Sequence, residues 1–566
     1  MNCSNCNAPL NENDTFCSNC GTPVNQAPKT PPEVTQIVGA TPQEPRKKFP
    51  KIPLIIAGVV LILIIALGVF NASAIENMVK RQFSSPKDYL KYIVERDAKR
   101  SSDMIANVYG NYITQAKKQI KQTNEVDYKF TVGKPAKDLF KKVAGSDVDI
   151  DWLDTLSVKT LTTIDKKQVG TKTNLTINDT PITDVISIMT NEGVSISVPT
   201  ISPDELYSEV DDDVPFINVD KFLDFYDNLP DKAKVKTVLK NYASFEFDSG
   251  SNYKASSDSI SAGDLSVPVY AITREYSPED MKDSFTKLAD KMSKDKDLKE
   301  VFKKTYNAYF DLYNENYVTM LGLPNDPDEA YDKLINKLDD FADDYDNTAS
   351  TVKVTTWIDS FGNVIGNKSE SDNGVTVNSF EYKLLTKGGK FAIYISVKED
   401  DNELFGIEGN GKLNLGKASG NITLYKDDDV VSDLKLKTLD LTKLKSGVLE
   451  TEFEVIPNSE FIDSSGIADM ALSDFTFGVK SSKDKASFTI KHDSSDFLNL
   501  DITAKVGKPE KIEIKADNSY DISNSSDMQD YFKDADFDKL LDNLENAGVS
   551  QDIVDELENS ISYMTN

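Results

Sequence analysis

Residues 52–70 read Ile-Pro-Leu-Ile-Ile-Ala-Gly-Val-Val-Leu-Ile-Leu-Ile-Ile-Ala-Leu-Gly-Val-Phe, with no charged or strongly polar side chain, and no other stretch does so. As a helix, these nineteen residues at ~1.5 Å each would span roughly 28 Å, the hydrocarbon thickness of a bilayer. A buried soluble helix is rarely apolar on every face. The run therefore reads as one transmembrane helix, with the lipid bilayer as its partner. Arg46, Lys47, Lys48 and Lys51 stand immediately before it, whereas Lys80, Arg81 and Lys87 follow at a distance among Glu76 and Asp88. Cations close to a span stay inside. The expected localisation is thus the cell membrane, single-pass, with a cytoplasmic N-terminus and an extracellular C-terminal domain. Ala72-Ser73-Ala74 resembles a signal-peptidase site, but the run is long and begins late for a cleaved signal, so a retained signal-anchor is expected.

The division explains the composition. All four cysteines lie within the first twenty residues of a 566-residue chain, so no disulfide can staple the outer part. Residues 1–51 carry five Lys/Arg against four Asp/Glu, a net of +1, which leaves −30 of the total −29 on residues 71–566. That field opposes binding to nucleic acid or to anionic lipid headgroups. It suits cationic partners, bound metal or simple solubility.

Cys3-Ser4-Asn5-Cys6 is repeated as Cys17-Ser18-Asn19-Cys20. Each C-x2-C pair can aim two thiolates at one ion, and four thiolates close a tetrahedral structural zinc site. So short a segment needs the metal to fold. Two disulfides or a redox pair are the other uses of such spacing. A cytoplasmic location disfavours the first, and the second usually sits on a βαβ unit that is missing here.

The Met-x-Cys-x-x-Cys start, the Phe16-Cys-x-x-Cys-Gly21 close, a proline-rich tether and one span together resemble the zinc-ribbon membrane proteins of Gram-positive bacteria, including the teicoplanin-resistance-associated type. The resemblance covers residues 1–70. Asn7 departs from the glycine usual after the first pair. The resemblance implies that the ribbon is an intracellular module engaging a cytoplasmic protein.

The domains expected are a zinc ribbon at 1–22, a tether at 23–51 with seven prolines, the span at 52–70 and an ectodomain at 71–566, with subdivision near 260 or 347. Ser85-Pro86, Ser277-Pro278 and Asp326-Pro327 read as helix starts, each a capping side chain followed by proline at the first turn. Ser202-Pro203 gives the same signal, and with Val198-Pro199 and Val267-Pro268 it hints at a duplicated strand-to-helix unit. After Asn347 the hydrophobic period changes to two, as in Phe391, Ile393, Ile395 and Val397, or Leu498, Leu500 and Ile502. The expected fold class is α+β: an antiparallel β-meander with one dry face, covered by helices.

Catalytic material is thin. His492 is the only histidine and reads as a packed strand residue. Ser284-x-x-Lys287, Ser371-Asp372-Asn373 and Lys445-Ser446-Gly447 reproduce the order of penicillin-binding motifs, but Ser284 falls well inside a helix and Ser371 precedes a hairpin turn. Asp211-Asp212-Asp213, Asp400-Asp401 and Asp427-Asp428-Asp429 lack the glycine-centred calcium loop. Tyr306, Tyr309, Tyr313 and Tyr317 keep helical spacing, as core residues or as the lining of a groove. The expected function is a non-catalytic envelope protein whose outer domain binds a wall- or lipid-derived ligand or an envelope protein. A carboxylate-based envelope hydrolase and a calcium-stabilised adhesion module are the alternatives.

Overall fold

The computed structural model describes residues 74–144, 150–210, 217–243, 245, 250–313, 322–345, 351–444, 448–458 and 474–565. The ribbon, tether and apolar run at 1–70 lie outside them, as do Asp211–213, Tyr317 and Lys445-Ser446-Gly447. The described residues all belong to one compact unit.

Its described strands join into a single 20-stranded sheet. A first meander comprises β1 (Thr123–Val132), β2 (Thr155–Ile164), β3 (Val169–Ile177), β4 (Thr180–Met189), β5 (Gly193–Ser197) and β6 (Glu205–Glu209). A second opens with β7 (Ser251–Ala262), β8 (Leu265–Tyr276), β9 (Thr351–Ile358), β10 (Val364–Asp372), β11 (Val377–Lys387) and β12 (Lys390–Glu399). It continues through β13 (Asn402–Asn414), β14 (Lys417–Lys426), β15 (Asp429–Asp440), β16 (Thr451–Pro457), β17 (Phe475–Ser481), β18 (Lys485–His492) and β19 (Ser495–Gly507). Within each meander, every strand pairs antiparallel with the next. β19 then pairs antiparallel with β1, which fuses the two meanders. A short β20 (Ser519–Asp521) returns to lie parallel to β6.

Two-residue turns set the register. Asn178/Asp179, Asp400/Asp401, Asp427/Asp428 and Asp493/Ser494 all have positive φ at both positions. This is the primed-turn geometry that matches strand twist, and Asn and Asp tolerate it better than other side chains.

The β7–β8 hairpin curls over β11 and β12. Ile260, Val267 and Val269 bury with Trp357, Ile365, Leu385 and Ala392, each large aliphatic stabilising by about 1.5–3 kcal/mol on full burial. The helix Pro86–Gln119, capped by Ser85 Oγ accepting from the Asp88 amide (3.2 Å), lays Tyr89, Leu90 and Ile93 on Ile272 and Ile358 of β8 and β9. Its far half meets a helical layer formed by Val219–Asn228, Lys232–Ala243, Pro278–Lys294, Lys296–Leu312 and Pro327–Tyr345. At the opposite end, Ala547, Val549 and Val554 of the C-terminal helical segment pack against Ile177 and Ile182.

The α+β expectation, a late meander under a helical lid behind a transmembrane helix, needs correction. The described chain is mostly β, in one large antiparallel sheet that begins at Thr123 and not after Asn347, and the helices gather towards its ends. β1–β4 alternate too, but Thr, Asn and Lys fill so many of their positions that the period is diluted. Among the described residues no helix is long and apolar enough to cross a membrane. Ser202-Pro203 starts no helix: Ser202 Oγ accepts from the Asp204 amide (3.1 Å) and the chain enters β6.

Candidate apolar binding face

Side chains directly opposite in neighbouring strands share a face. Phe391 faces Gly411, then Gly420, Leu436, Phe453, Val479, Phe488, Leu500, Phe130, Leu156 and Ile177, one residue per strand from β12 through β19 and β1 to β3. A parallel row runs Ala486, Ile502, Tyr128, Val158 and Leu175. From β16 to β19 and β1 to β3, no paired residue on this face is charged.

The row is buried at both ends and open in the middle. Phe391 is 0% and Leu436 4% exposed, Ile177 is 8%, and Phe488 between them is 43%. Val479, Leu500, Phe130 and Leu156 are half-buried. Contiguous apolar surface of this kind marks interaction sites in soluble domains.

The reverse face is polar. Lys437 reaches Glu454 (2.7 Å), Lys480 reaches Glu452 (3.1 Å), and Glu125 takes Lys159 (3.1 Å) and Lys505 (3.5 Å). With Thr476, Ser487, Thr489 and Lys491, the first four of these line a depression of ≈ 200 Å³. Such exposed pairs add little stability, about 0–1 kcal/mol each. What they do is keep that face wet, so the sheet is wet on one side and oily on the other.

The residues singled out in the sequence scatter into structural roles. Ser284 is buried and its hydroxyl donates to the Asp280 carbonyl (2.7 Å), while Lys287 pairs with Asp283 (2.6 Å). Asp372 and Asn373 hold the β10–β11 turn, their side chains accepting from the amides of Gly374, Val375 and Thr376. His492 lies 5.0 Å from the Phe475 ring, with Nδ1 3.8 Å from Asp493. Tyr306 stacks with Phe302 and Phe310 and donates to the Pro324 carbonyl (2.5 Å), and Tyr309 packs edge-on against Phe225 while staying 52% exposed on the helical layer. The acidic pairs at 400–401 and 427–428 are the hairpin turns already described. Among the described residues, no cluster of three His, Cys, Asp or Glu side chains is arranged to hold a metal ion.

Buried carboxylates are each engaged. Asp204 accepts from the Asn518 amide (2.8 Å), and Asp440 accepts from Thr442 and Lys443. Asp97 meets Arg96 at 2.8 Å in a pair whose side chains are 14% and 16% exposed, and burial pushes its carboxyl up from the usual range against the pull of Arg96. Arg96 also donates to Asn77 Oδ1 (2.7 Å) and the Gly362 carbonyl (2.6 Å), and Asn77 Nδ2 donates to the Phe361 carbonyl. Gly362 has φ +85°, and a Cβ there would collide with the Asn77 amide. This clamp ties the Ala74–Phe83 helix to the β9–β10 turn. Its members are too far apart in sequence for any local pattern to reveal it.

Taken together, the described residues form a broad sheet that presents an uncharged face across β16–β19 and β1–β3. Residues 2–24 match the family model of the zinc-ribbon domain, so the chain carries a zinc ribbon at its N-terminus. That stretch contains Cys3, Cys6, Cys17 and Cys20, all outside the described residues. Neither a curated protein nor a solved structure matched the chain.

Proposed function

We propose that this chain is a membrane-attached envelope protein whose sheet domain binds an apolar, lipid-derived ligand without catalysing a reaction. The observation that carries the reading is the uncharged face across β16–β19 and β1–β3, open at Phe488 and closed at both ends, in a chain of net charge −29. All its strands are paired on both sides, so the face offers no free backbone donors or acceptors. A hydrocarbon asks for none, whereas an extended peptide laid across it would bury its own unsatisfied.

The apolar run at 52–70 holds the protein at the bilayer, with the preceding cations keeping the N-terminus cytoplasmic and the sheet domain outside. The four thiolates of Cys3, Cys6, Cys17 and Cys20 fit one tetrahedral zinc ion, which would fold the ribbon for a cytoplasmic protein partner. This layout agrees with the resemblance to zinc-ribbon membrane proteins.

Photoreactive lipid added to membranes containing the full chain tests the reading. Adducts should map to peptides of β17–β19 and β1, and Leu500→Lys should abolish them. Adducts elsewhere only, or adducts indifferent to that substitution, would overturn it.

A further inference from the structure

We propose that the end of the sheet domain bearing the Ala74–Phe83 helix is a seat on an anionic lipid surface. The inference rests on membrane attachment through residues 52–70 and adds a second, separate contact. Only residues 71–73 separate the apolar run from this helix, so the run's end and the helix must share one neighbourhood.

The helix and the start of the next carry Lys80, Arg81 and Lys87, all exposed, against Glu76 and Asp88, a local net of +1 in a chain of net charge −29. Each is steadied over a tyrosine ring, Lys80 over Tyr92 (5.4 Å), Arg81 over Tyr270 (5.3 Å) and Lys87 over Tyr253 (5.5 Å). Asp88 beside them is tied to Ser85 at 2.6 Å. Two large apolar side chains stand out at the same end, Phe83 at 80% exposure and Phe361 of the β9–β10 turn at 55%. Cations and aromatics exposed together suit the headgroup region, where charge meets phosphate and rings enter the acyl boundary. The Asn77–Arg96–Gly362 clamp fixes the helix to the sheet, so the surface is presented as a unit and not on a swinging tether.

The test uses the full chain in nanodiscs of neutral or anionic lipid with brominated acyl chains. Phe83→Trp supplies the probe, and the parent chain, with its two tryptophans, the baseline. Emission from the Phe83→Trp chain should be quenched in anionic discs and recover when Lys80, Arg81 and Lys87 are all changed to Glu, while the protein still co-elutes with the discs. Quenching no greater than the parent's, or unaffected by the charge changes, would overturn the seat while leaving the anchor intact. Failure to enter the discs would overturn the anchor and the seat together.

Discussion

Leu500 of β19 stands directly opposite Phe130 of β1. That pairing is the seam at which a meander finished late in the chain is zipped to one begun early. The whole uncharged face depends on it, because the rows of apolar side chains cross from one meander to the other there.

Breaking the seam should therefore unfold more than its own two strands. Tyr128 lies mid-seam between Ile502 and Val158. Tyr128→Pro removes a ladder donor from a strand paired on both sides and leaves the facing carbonyl unsatisfied, which should cost about 1–3 kcal/mol. Urea unfolding followed by tryptophan emission should show a lower midpoint, and an unchanged one would mean the meanders stand independently.

The helix Pro278–Lys294 begins in a reciprocal cap. Ser277 Oγ accepts from the Asp280 amide (3.1 Å), and the Ser277 amide donates to the Asp280 carboxylate (2.9 Å). Ser277→Ala should cost about 1 kcal/mol, with Ser277→Thr restoring most of it. Equal stability of all three chains in thermal melts would contradict the cap's role.

Asp440 should shape the acid limb of stability. The Thr442 hydroxyl (2.6 Å) and the amides of Thr442 and Lys443 hold its carboxyl down at about 2. The unfolded chain binds that proton near about 3.9, so the contribution is full above that value and lost as pH falls towards 2. Asp440→Asn should lower stability at neutral pH and flatten its fall across this window. A variant as steep in acid as the parent would assign the limb to other carboxylates.

Zinc should accompany the full chain at about one ion per molecule under reducing conditions. Cys17→Ser should release it and expose the N-terminal region to protease while leaving the sheet domain's melting unchanged. Retention of stoichiometric zinc by that variant would break the four-cysteine assignment.

Local chemistry was legible and long-range joining was not. Ser85-Pro86, Ser277-Pro278 and Asp326-Pro327 announce helices because a cap and a first-turn proline act within one turn of chain. The alternation of Phe391, Ile393 and Ile395 announces β12 for the same reason. Ser202-Pro203 misleads because the same serine chemistry also closes a turn before a strand. Asp400-Asp401 and Asp427-Asp428 look like candidate ion ligands until their positive φ angles show them bending hairpins. That Phe130 meets Leu500, or Asn77 meets Phe361, leaves no local trace, because either partner's own neighbourhood would look the same without the other.

The parallel return of β20 to β6 carries a consequence for how the protein is made. On the ribosome, β1 to β6 emerge before the other strands, and both flanks of that small ribbon stay unmatched until β19 and β20 follow β7 to β18. Throughout that interval the nascent chain shows an oily surface and two open rims, the combination that invites neighbouring chains to add on. At the other limit of the finished sheet, β7 is rich in serine and carries Lys254 and Asp258, a rim poorly suited to templating. Synthesis order thus makes the C-terminal strands a closing step, and a chain truncated before Ser495 should be the one that host chaperones retain.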